Sequence, residues 1–321
     1  MKLGKKQLDL KDGIRKEWVI SNGIGGFASS SVLGANTRRY HGLLIAPLLP
    51  PARRHLLISK LDESLMIGNE KFNLYTNVCK NYVEHGYKHL ECFEKEYLPK
   101  FTYKVKDVKI TKQITMAYGR NTVVVVYKIK TGKEAVKFTL APVVSFRDFH
   151  SMNTGHEYNI NQVIDGRKVR IEVDGNAHTP MYIYLSEGNY IQHYNDTFRD
   201  IYYLKEFERG FMPEENLAVS GRYEVEVPAG TEKTITFVGS LEDNTENIDG
   251  EKAIEAEIAR IKKTIDDTGL IKEAKTKALK EKNEFIRDLL VATDTFIIDR
   301  PAFKTKSILA RISLVFRLGT W

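Results

Sequence analysis

The sequence contains little cysteine and no long apolar run. Cys79 and Cys92 are the only thiols among 321 residues, which is typical of a reducing compartment and argues against a disulfide scaffold. No window approaches about 18 uninterrupted apolar residues, and the first residues, M-K-L-G-K-K, open no apolar signal-peptide core. We therefore expect no transmembrane helix, no membrane partner and no secretory signal, and we predict a cytoplasmic location.

The sequence also lacks a broadly spread positive charge. Its formal net charge is +7, yet residues 300–321 hold five basic side chains and no acidic one. The rest of the chain is nearly balanced, so a nucleic-acid-binding face is not indicated. With 42% apolar and 28% charged residues, the composition is that of a globular protein able to bury a large core.

Several signatures of catalysis and cofactor binding are missing. The sequence N-G-I-G-G at residues 22–26 precedes neither a helical pattern nor G-K-[ST], which argues against a dinucleotide fingerprint and a phosphate loop. His85 and His89 are four residues apart, but Gly86 between them disfavours the helix that a metal pair would need. No Ser/His/Asp set and no acid/base pair of carboxylates stands out from spacing. We expect no metal site and no cofactor.

Residues 40–240 are rich in strand patterns. Apolar and charged side chains alternate most clearly in residues 168–173 and 222–227. Further candidate strands cover residues 54–59, 72–78, 101–110, 122–129, 136–141, 181–185 and 234–238, with turn-forming sequences between several of them. So many short strands with little helix predict a mainly β fold, a large antiparallel β-sandwich with more strands than an immunoglobulin domain.

The pattern changes near Glu242, where a polar linker leads into helical periodicity. One predicted helix begins after the cap Asp249, ends at residues 267–269, and places four isoleucines on one face: Ile254, Ile258, Ile261 and Ile265. A second predicted helix covers residues 271–290 and turns four side chains inward: Ala274, Ala278, Phe285 and Leu289. We therefore divide the chain into a sandwich over residues 1–245, a helical linker over 246–292, and a short remainder over 293–321.

The stretch at residues 18–46 is the most unusual part of the chain. It contains five glycines and then four consecutive polar or aromatic residues: Arg38, Arg39, Tyr40 and His41. Arginine can hold carboxylates or sugar hydroxyls, and tyrosine or histidine can stack or donate. The structural alternative is a bulged hairpin with glycines at positive φ, beside an arginine paired with a buried acid. Spacing alone favours the bulged hairpin for residues 22–26.

Two later segments carry similar groups. Arg147, Asp148 and His150 follow a strand-like Val-Val pair, where a structural ion pair is the simpler interpretation and a ligand-facing cluster is the alternative. Arg209 lies in E-F-E-R-G-F, which suits a partner-facing loop and a plain turn equally well. The candidates for contacting substrate or docking on another domain are thus Asn22, Arg38, Arg39, Tyr40, His41, Arg147, Asp148, His150 and Arg209.

These segments resemble a known family. Residues 18–46 closely resemble the opening signature of the bacterial and archaeal glycogen-debranching (amylo-α-1,6-glucosidase) family: W-V-I-S-N-G-I-G-G-F-A-S-S-S-V-L-G-A-N-T-R-R-Y-H-G-L-L-I-A. The resemblance continues in H-G-Y-K-H-L-E-C-F (85–93), A-P-V-V-S-F-R-D-F-H (141–150), E-F-E-R-G-F (206–211), A-T-D-T-F-I-I-D-R (292–300) and T-K-S-I-L-A (305–310). It implies an N-terminal β-sandwich joined by helices to an (α/α)6-barrel glycosidase domain. It also implies inverting hydrolysis of α-1,6-linked glucose at glycogen branch points by two carboxyl groups.

The end of the sequence departs from this family. In proteins of this family the barrel, with its catalytic carboxylates, follows at the point where this sequence stops. We therefore assign no catalytic residue and regard residues 293–321 as a truncated start of the barrel. After Ala310 the family continues roughly G-Y-H-W-F-x-D-W-G-R, whereas this sequence reads R-I-S-L-V-F-R-L-G-T-W. Codons allowed for these residues, shifted by one nucleotide, encode G-Y-H-W-F-S-D-W-G-R. We interpret residues 311–321 as frameshifted, and resequencing across codon 310 tests this interpretation.

Two kinds of function remain open from the sequence. The first is the N-terminal portion of a debranching glucosidase, inactive alone, whose partners would be α-glucan and the missing barrel. The second is a non-catalytic module that binds glucan or docks on another domain. Nucleic-acid binding rests only on net charge and ranks last.

Overall fold

A computed structural model describes residues 1–50, 52–155, 157–271, 273 and 276–298. The strands are β1 (Lys2–Gly4), β2 (Glu17–Ser21), β3 (Phe27–Ser31), β4 (Gly42–Leu49), β5 (Ala52–Ile67), β6 (Glu70–Asn73), β7 (Thr76–Val78), β8 (Val83–His85), β9 (Leu90–Lys95), β10 (Pro99–Val105), β11 (Val108–Met116), β12 (Thr122–Lys130), β13 (Val136–Asp148), β14 (Ile160–Asp165), β15 (Lys168–Val173), β16 (Met181–Leu185), β17 (Asn189–Tyr202), β18 (Glu214–Val227) and β19 (Glu232–Ser240). The helices are α1 (Leu10–Gly13), α2 (Leu204–Glu208), α3 (Gly250–Asp266) and α4 (Lys277–Phe296).

The strands form two large antiparallel sheets, so the chain is mainly β, as its alternating patterns predict. The first sheet has the order β1-β9-β10-β11-β12-β19-β16-β15-β14. The second has the order β17-β18-β13-β5-β4-β3-β2, with β6 paired to β5. The short strands β7 and β8 pair with each other. The two sheets stack face to face, which is the sandwich arrangement.

Alternation predicts some strand bounds well and fails at a tight turn. Residues 168–173 and 181–185 coincide with β15 and β16, in which buried and partly exposed side chains alternate. The single strand predicted at residues 101–110 is wrong, because β10 and β11 form a hairpin across a two-residue turn in which Val105 pairs with Val108. Lys106 adopts φ 53° there. The turn residues, Lys106 and Asp107, include no glycine or proline, so only Asp107 marks the turn in the sequence.

The second sheet is buried on both faces over part of its area. Its inner face contributes to the main core between the sheets, where the largest fully buried side chains include Tyr127, Phe138 and Phe237. Its outer face carries a separate apolar cluster of buried residues: Ile45, Leu56, Val143, Ile201, Tyr203 and Leu217. Neighbouring residues divide between the two clusters, as Leu44 and Ile45 do, because successive strand side chains point to opposite faces. This separate apolar cluster positions the candidate site.

The first predicted helix is confirmed as α3. Its cap is Asp249, whose side chain accepts a 3.1 Å hydrogen bond from the Lys252 N–H. Ile254, Ile261 and Ile265 are buried, which agrees with the predicted apolar face. No helix among the residues the structure describes is long and apolar enough to cross a membrane.

The second predicted helix is displaced and rotated relative to the prediction. It runs from Lys277 to Phe296 as α4, whereas residues 271–290 were expected, and Ala274 lies outside the described residues. The inward orientation predicted for Ala278, Phe285 and Leu289 is wrong: all three are exposed, Phe285 by 70% and Leu289 by 55%. The packed side instead carries Val291 and Asp294, since two Arg260–Asp294 hydrogen bonds of 2.6 and 3.0 Å tie this face to α3.

The described residues give no sign of a barrel. The expected barrel start at residue 293 falls inside α4, which continues to Phe296. The rest of the predicted remainder, residues 299–321, lies outside the described residues, and so does the proposed frameshift at residues 311–321.

Candidate functional site

Asn22 organises the glycine-rich turn between β2 and β3. Its Oδ1 accepts hydrogen bonds from the N–H groups of Ile24 (3.1 Å) and Gly26 (2.8 Å). Its Nδ2 donates to the carbonyl of Arg120 (2.9 Å) and to Oδ1 of Asn121 (3.0 Å). Asn22 is fully buried, so these four bonds satisfy the amide and leave no polar atom for a ligand. The structure therefore separates Asn22 from the other candidates and gives it a role in shaping the turn.

Arg38 and His41 turn toward Glu17 at the start of β2. Arg38 Nε donates to Glu17 Oε1 over 2.8 Å, and His41 Nε2 lies 3.7 Å from the same oxygen. The other ring nitrogen of His41, Nδ1, accepts a 3.0 Å hydrogen bond from the Thr37 N–H. Burial alone would raise the pKa of Glu17, but the hydrogen bonds and charges of His41 and Arg38 outweigh it and lower the pKa to about 2. The contacts among Glu17, Arg38 and His41 therefore fix the conformation of the turn at residues 38–41.

Arg39 turns the opposite way, toward α2. Its Nε and Nη2 donate to Oε2 of Glu206 over 2.9 and 2.8 Å, and its backbone N–H donates to Oε1 over 3.2 Å. Its Nη1 donates to the carbonyl of His150 over 2.9 Å. Glu206 is completely buried, and Arg209 lies 3.7 Å from its Oε2. The arginine fork thus joins the residue 38–41 turn, α2 and the segment after β13.

Arg147 forms a second buried ion pair, with Glu215 of β18. Its Nη2 donates to Glu215 Oε2 over 3.0 Å and to the carbonyl of Arg39 over 2.9 Å. The hydroxyl of Tyr203 donates to the same Oε2 over 2.5 Å. Burial alone would lower the pKa of Arg147, but Glu215 raises it. The two ion pairs are therefore linked through the backbone of Arg39.

Tyr40 and His150 close the cluster on its exposed side. Tyr40 Oη lies 3.2 Å from His150 Nδ1, and both rings pack against Phe149, with centroids 5.4 and 4.0 Å away. Asp148 does not reach this pair; its Oδ1 accepts a 2.9 Å hydrogen bond from the His150 N–H and fixes the local turn. Arg54 lies over Phe149 and donates to the carbonyl of Gly25 over 2.6 Å, which connects the glycine-rich turn to this side.

We call this group the outer-face cluster; it comprises Arg39, Tyr40, Arg147, His150, Glu206, Arg209 and Glu215. It sits beside the separate apolar cluster of the second sheet, and three exposed apolar side chains border it: Phe207 (59%), Phe211 (49%) and Met212 (60%). The guanidinium groups of Arg39 and Arg209 each lie 5.0 Å from the Phe211 ring centre. The arrangement presents aromatic rings and cations at a surface whose base is cross-linked by the Arg39–Glu206 and Arg147–Glu215 ion pairs.

Sequence reasoning found the arginines of this cluster and missed its carboxylates. Glu206 belongs to the E-F-E-R-G-F segment, so that motif carried a signal for it. Nothing local distinguishes Glu215 from Glu214 beside it, and only the alternation of β18 turns one of them inward. Glu17 likewise carried no sequence signal.

The cluster is suited to holding a surface together and not to acid/base catalysis. The buried carboxylates of Glu206 and Glu215 are each paired with an arginine, Arg39 and Arg147 respectively. Neither is therefore available to donate a proton to a leaving oxygen. Across the described residues, no group of three or more His, Cys, Asp or Glu side chains is arranged to hold a metal ion.

The comparison with protein families decides the assignment. The family model described as "Glycogen debranching enzyme N terminal" matches residues 16–234, which include both ion pairs and the glycine-rich turn. The chain belongs to this family. The family resemblance predicted from residues 18–46 is thereby confirmed. The segments at 85–93, 141–150 and 206–211 also lie within the matched residues, whereas those at 292–300 and 305–310 lie beyond them. A search of curated protein sequences found no match.

Two solved structures show distant similarity to this glycogen-debranching N-terminal chain. A bacterial glucoamylase in complex with acarbose has a TM-score of 0.36 at 13% identity, over 88% of this chain and 36% of that one. A polysaccharide lyase has a TM-score of 0.32 at 11% identity, over 74% of this chain and 33% of that one. The chain spans about a third of the length of these structures, and such low scores add nothing to the assignment.

Proposed function

We propose that this chain is the N-terminal β-sandwich of a glycogen-debranching amylo-α-1,6-glucosidase and that it positions a catalytic (α/α)6 barrel. In this proposal α3 and α4 are the helical linker between the two domains. The observation that carries it is the outer-face cluster with its exposed apolar border at Phe207, Phe211 and Met212. Such a border around satisfied ion pairs suits a contact with another folded domain.

The internal bonding of the cluster supports docking in preference to substrate binding. Two buried Arg–Glu pairs fix the 38–41 turn, α2 and the end of β13 relative to one another. The surface above them is therefore preorganised, which lowers the entropy lost when a partner binds. The exposed aromatic and arginine side chains of this surface are of the types that contribute most to protein interfaces.

The same proposal assigns no catalytic group to this chain. The substrate would be the α-1,6-linked glucose of trimmed glycogen branches, and the inverting carboxyl pair would belong to the barrel. We further propose a cytoplasmic location; Cys79 and Cys92 are both free thiols, which fits a reducing compartment.

The test mixes this chain with a separately produced barrel from a family member and measures binding and glucose release from a limit dextrin. The chain alone should release no glucose. Phe211→Asp should weaken barrel binding at least about tenfold, because it places a charge in the apolar border. Val163→Asp, at a 55%-exposed position of β14, is the matched control and should bind normally. Robust glucose release by the chain alone, or unchanged binding by Phe211→Asp, would refute the proposal.

A further inference from the structure

The outer edge of β14 is an unpaired strand edge. β14 is the last strand of the nine-stranded first sheet, in which it pairs with β15 alone. Such an edge offers a row of N–H and C=O groups to another strand, and native proteins usually protect it with a short strand, a bulge, a proline or a lysine. β14 is six residues long, pairs with β15 without a register shift, and contains no proline or lysine.

The edges formed by β1, β17 and β2 are each protected. β1 has three residues and carries Lys2, whose ammonium pairs with Glu94. β17 shifts its register against β18 at two places, and its far end forms a bridge between Ile201 and Cys79. β2 packs against α4. Within the part of the chain that the structure describes, β14 is therefore the sheet edge left open.

The backbone of Gln162 and Ile164 points away from β15 along this open edge. Asp165 pairs with Lys168 across the two-residue turn that joins β14 to β15. A pair that closes such a turn is hydrogen bonded, and hydrogen-bonded and non-hydrogen-bonded pairs alternate along antiparallel strands. Val163 is therefore bonded to β15, whereas Gln162 and Ile164 direct their N–H and C=O groups outward. No described residue bonds to these outward groups.

The side chains of β14 leave an apolar edge that is tied to the body of the sandwich. Val163 and Ile164 are 55% and 42% exposed. Gln162 anchors the strand to the second sheet, because its Nε2 donates to the carbonyls of His193 (3.1 Å) and Ser220 (2.7 Å). The edge is thus held in its extended conformation before any partner binds, which lowers the entropy lost on association.

The backbone of β14 is complementary to itself in one antiparallel register. When the Val163 residues of two chains lie opposite each other, Gln162 of each chain lies opposite Ile164 of the other. These are the residues whose backbone groups point outward, so each such pair can exchange both of its N–H···O=C hydrogen bonds. The two-fold axis then passes beside Val163, and the contact closes with two chains.

The side chains of β14 match in the same register. Val163 packs against Val163 at a non-hydrogen-bonded position, where facing side chains approach most closely. Asn161 lies opposite Asp165 of the other chain. The Asn161 amide donates one hydrogen to Glu172 over 3.1 Å and retains a second one for the exposed Asp165 carboxylate. Within β14, no two like charges face each other in this register.

We propose that two copies of this chain associate through β14, so that their first sheets join edge to edge in a two-fold dimer. The contact lies on the first sheet, whereas the surface that we propose for barrel docking lies on the outer face of the second sheet. Either proposal can therefore fail without affecting the other. Because the contact is one strand wide and smaller than a standard interface, we expect a dissociation constant of about 10–100 µM.

Sedimentation equilibrium of the full chain between about 1 and 300 µM brackets this constant. Val163→Lys should raise the dissociation constant at least about tenfold, because it places two ammonium groups across the axis. Val163→Asp should do the same while keeping its barrel binding. An equimolar mixture of the two variants should associate at least as tightly as the unsubstituted chain, because opposite charges then meet at the axis.

Ile164→Pro tests the backbone pairing. Proline removes the outward N–H of residue 164 and leaves the ladder to β15 intact, so it should weaken association at least about tenfold. Ile164→Thr is the matched control, since it shortens the same side chain but keeps the N–H, and it should weaken association no more than about threefold. Urea unfolding checks that each variant is folded, and the Val163 variants keep the test decisive if Ile164→Pro is not.

Amide exchange at Gln162 and Ile164 measures the pairing directly. Both N–H groups should exchange at least about fivefold more slowly above the dissociation constant than below it. A chain that stays monomeric up to about 1 mM, association unchanged by Val163→Lys, or a Lys/Asp mixture that fails to associate would overturn the proposal. Protection of these amides by an added barrel, and not by a second copy, would assign the edge to another occupant and overturn it as well.

Discussion

At the residue scale, Glu17 shows how the R-R-Y-H run stabilises the fold. The first and last residues of that run, Arg38 and His41, converge on one carboxylate and lower its pKa from 4.5 to about 2. A depressed carboxylate pKa adds stability that is fully present above the unfolded-state pKa of about 4.5. That stability is lost as the pH falls from about 4.5 toward the folded-state value of about 2.

Glu17→Gln should therefore destabilise the chain in a pH-dependent way. We expect a loss of about 1–2 kcal/mol at pH 6, after allowance for the partial exposure of the side chain. The difference from the unsubstituted chain should shrink by more than half at pH 3, because Glu17 then contributes less in the parent. Urea unfolding at both pH values measures this. Glu226→Gln, at an exposed position of β18, is the control; an equal loss for Glu17→Gln at both pH values would contradict the assignment.

At the element scale, the glycine-rich turn between β2 and β3 depends on close packing as well as on backbone conformation. Gly23 has φ +75°, and a Cβ added there would lie 2.4 Å from the ring of Tyr118. That ring lies 4.3 Å below the guanidinium of Arg260, which in turn binds Glu257 and Asp294. The turn is therefore mechanically connected to α3 and α4.

Gly23→Ala and Gly34→Ala separate the contribution of the left-handed backbone from that of close packing against Tyr118. Gly34 has φ +74° but no atom within 4 Å of an added Cβ. We expect Gly34→Ala to cost about 1 kcal/mol from the left-handed backbone alone. Gly23→Ala should cost about 2–3 kcal/mol, because Tyr118 must also move, and should increase amide exchange in α4. Urea unfolding and hydrogen exchange measure both effects; equal losses in the two variants would show that the Tyr118 contact is unimportant.

The elements also show which features a sequence can predict. The bounds of β15 and β16 follow from alternation, because each strand has one buried face. The exposed face of α4 could not be predicted, since its apolar residues occupy two sides and the ion pair with Arg260 selects one. The partners of Arg39 and Arg147 were also out of reach, because Glu206 and Glu215 lie 167 and 68 residues away along the chain. Only the fold brings them together.

At the scale of the whole molecule, a buried polar contact at Glu63 bridges the two sheets through the core. Glu63 of β5, in the second sheet, accepts hydrogen bonds from two side chains of the first sheet. These donors are Lys112 Nζ of β11 at 2.5 Å and Tyr127 Oη of β12 at 2.6 Å. Burial, followed by the neighbouring carboxylate, raises the pKa of Tyr127 well above its ordinary value, so the phenol remains a donor. All three side chains are buried, and the bridge fixes how the sheets face each other.

Removing one charged partner of this bridge should lower the free energy of unfolding far more than removing both charged partners. Glu63→Leu leaves a buried ammonium unpaired and should destabilise the chain by about 3–5 kcal/mol. Adding Lys112→Met should recover at least about 2 kcal/mol, since no buried charge then remains. Glu70→Leu, which breaks the exposed 2.8 Å pair with Lys106, should cost no more than about 1 kcal/mol. Urea unfolding of the four chains measures these differences. A double variant no more stable than Glu63→Leu would mean that shape, and not the charge pair, holds the sheets in register.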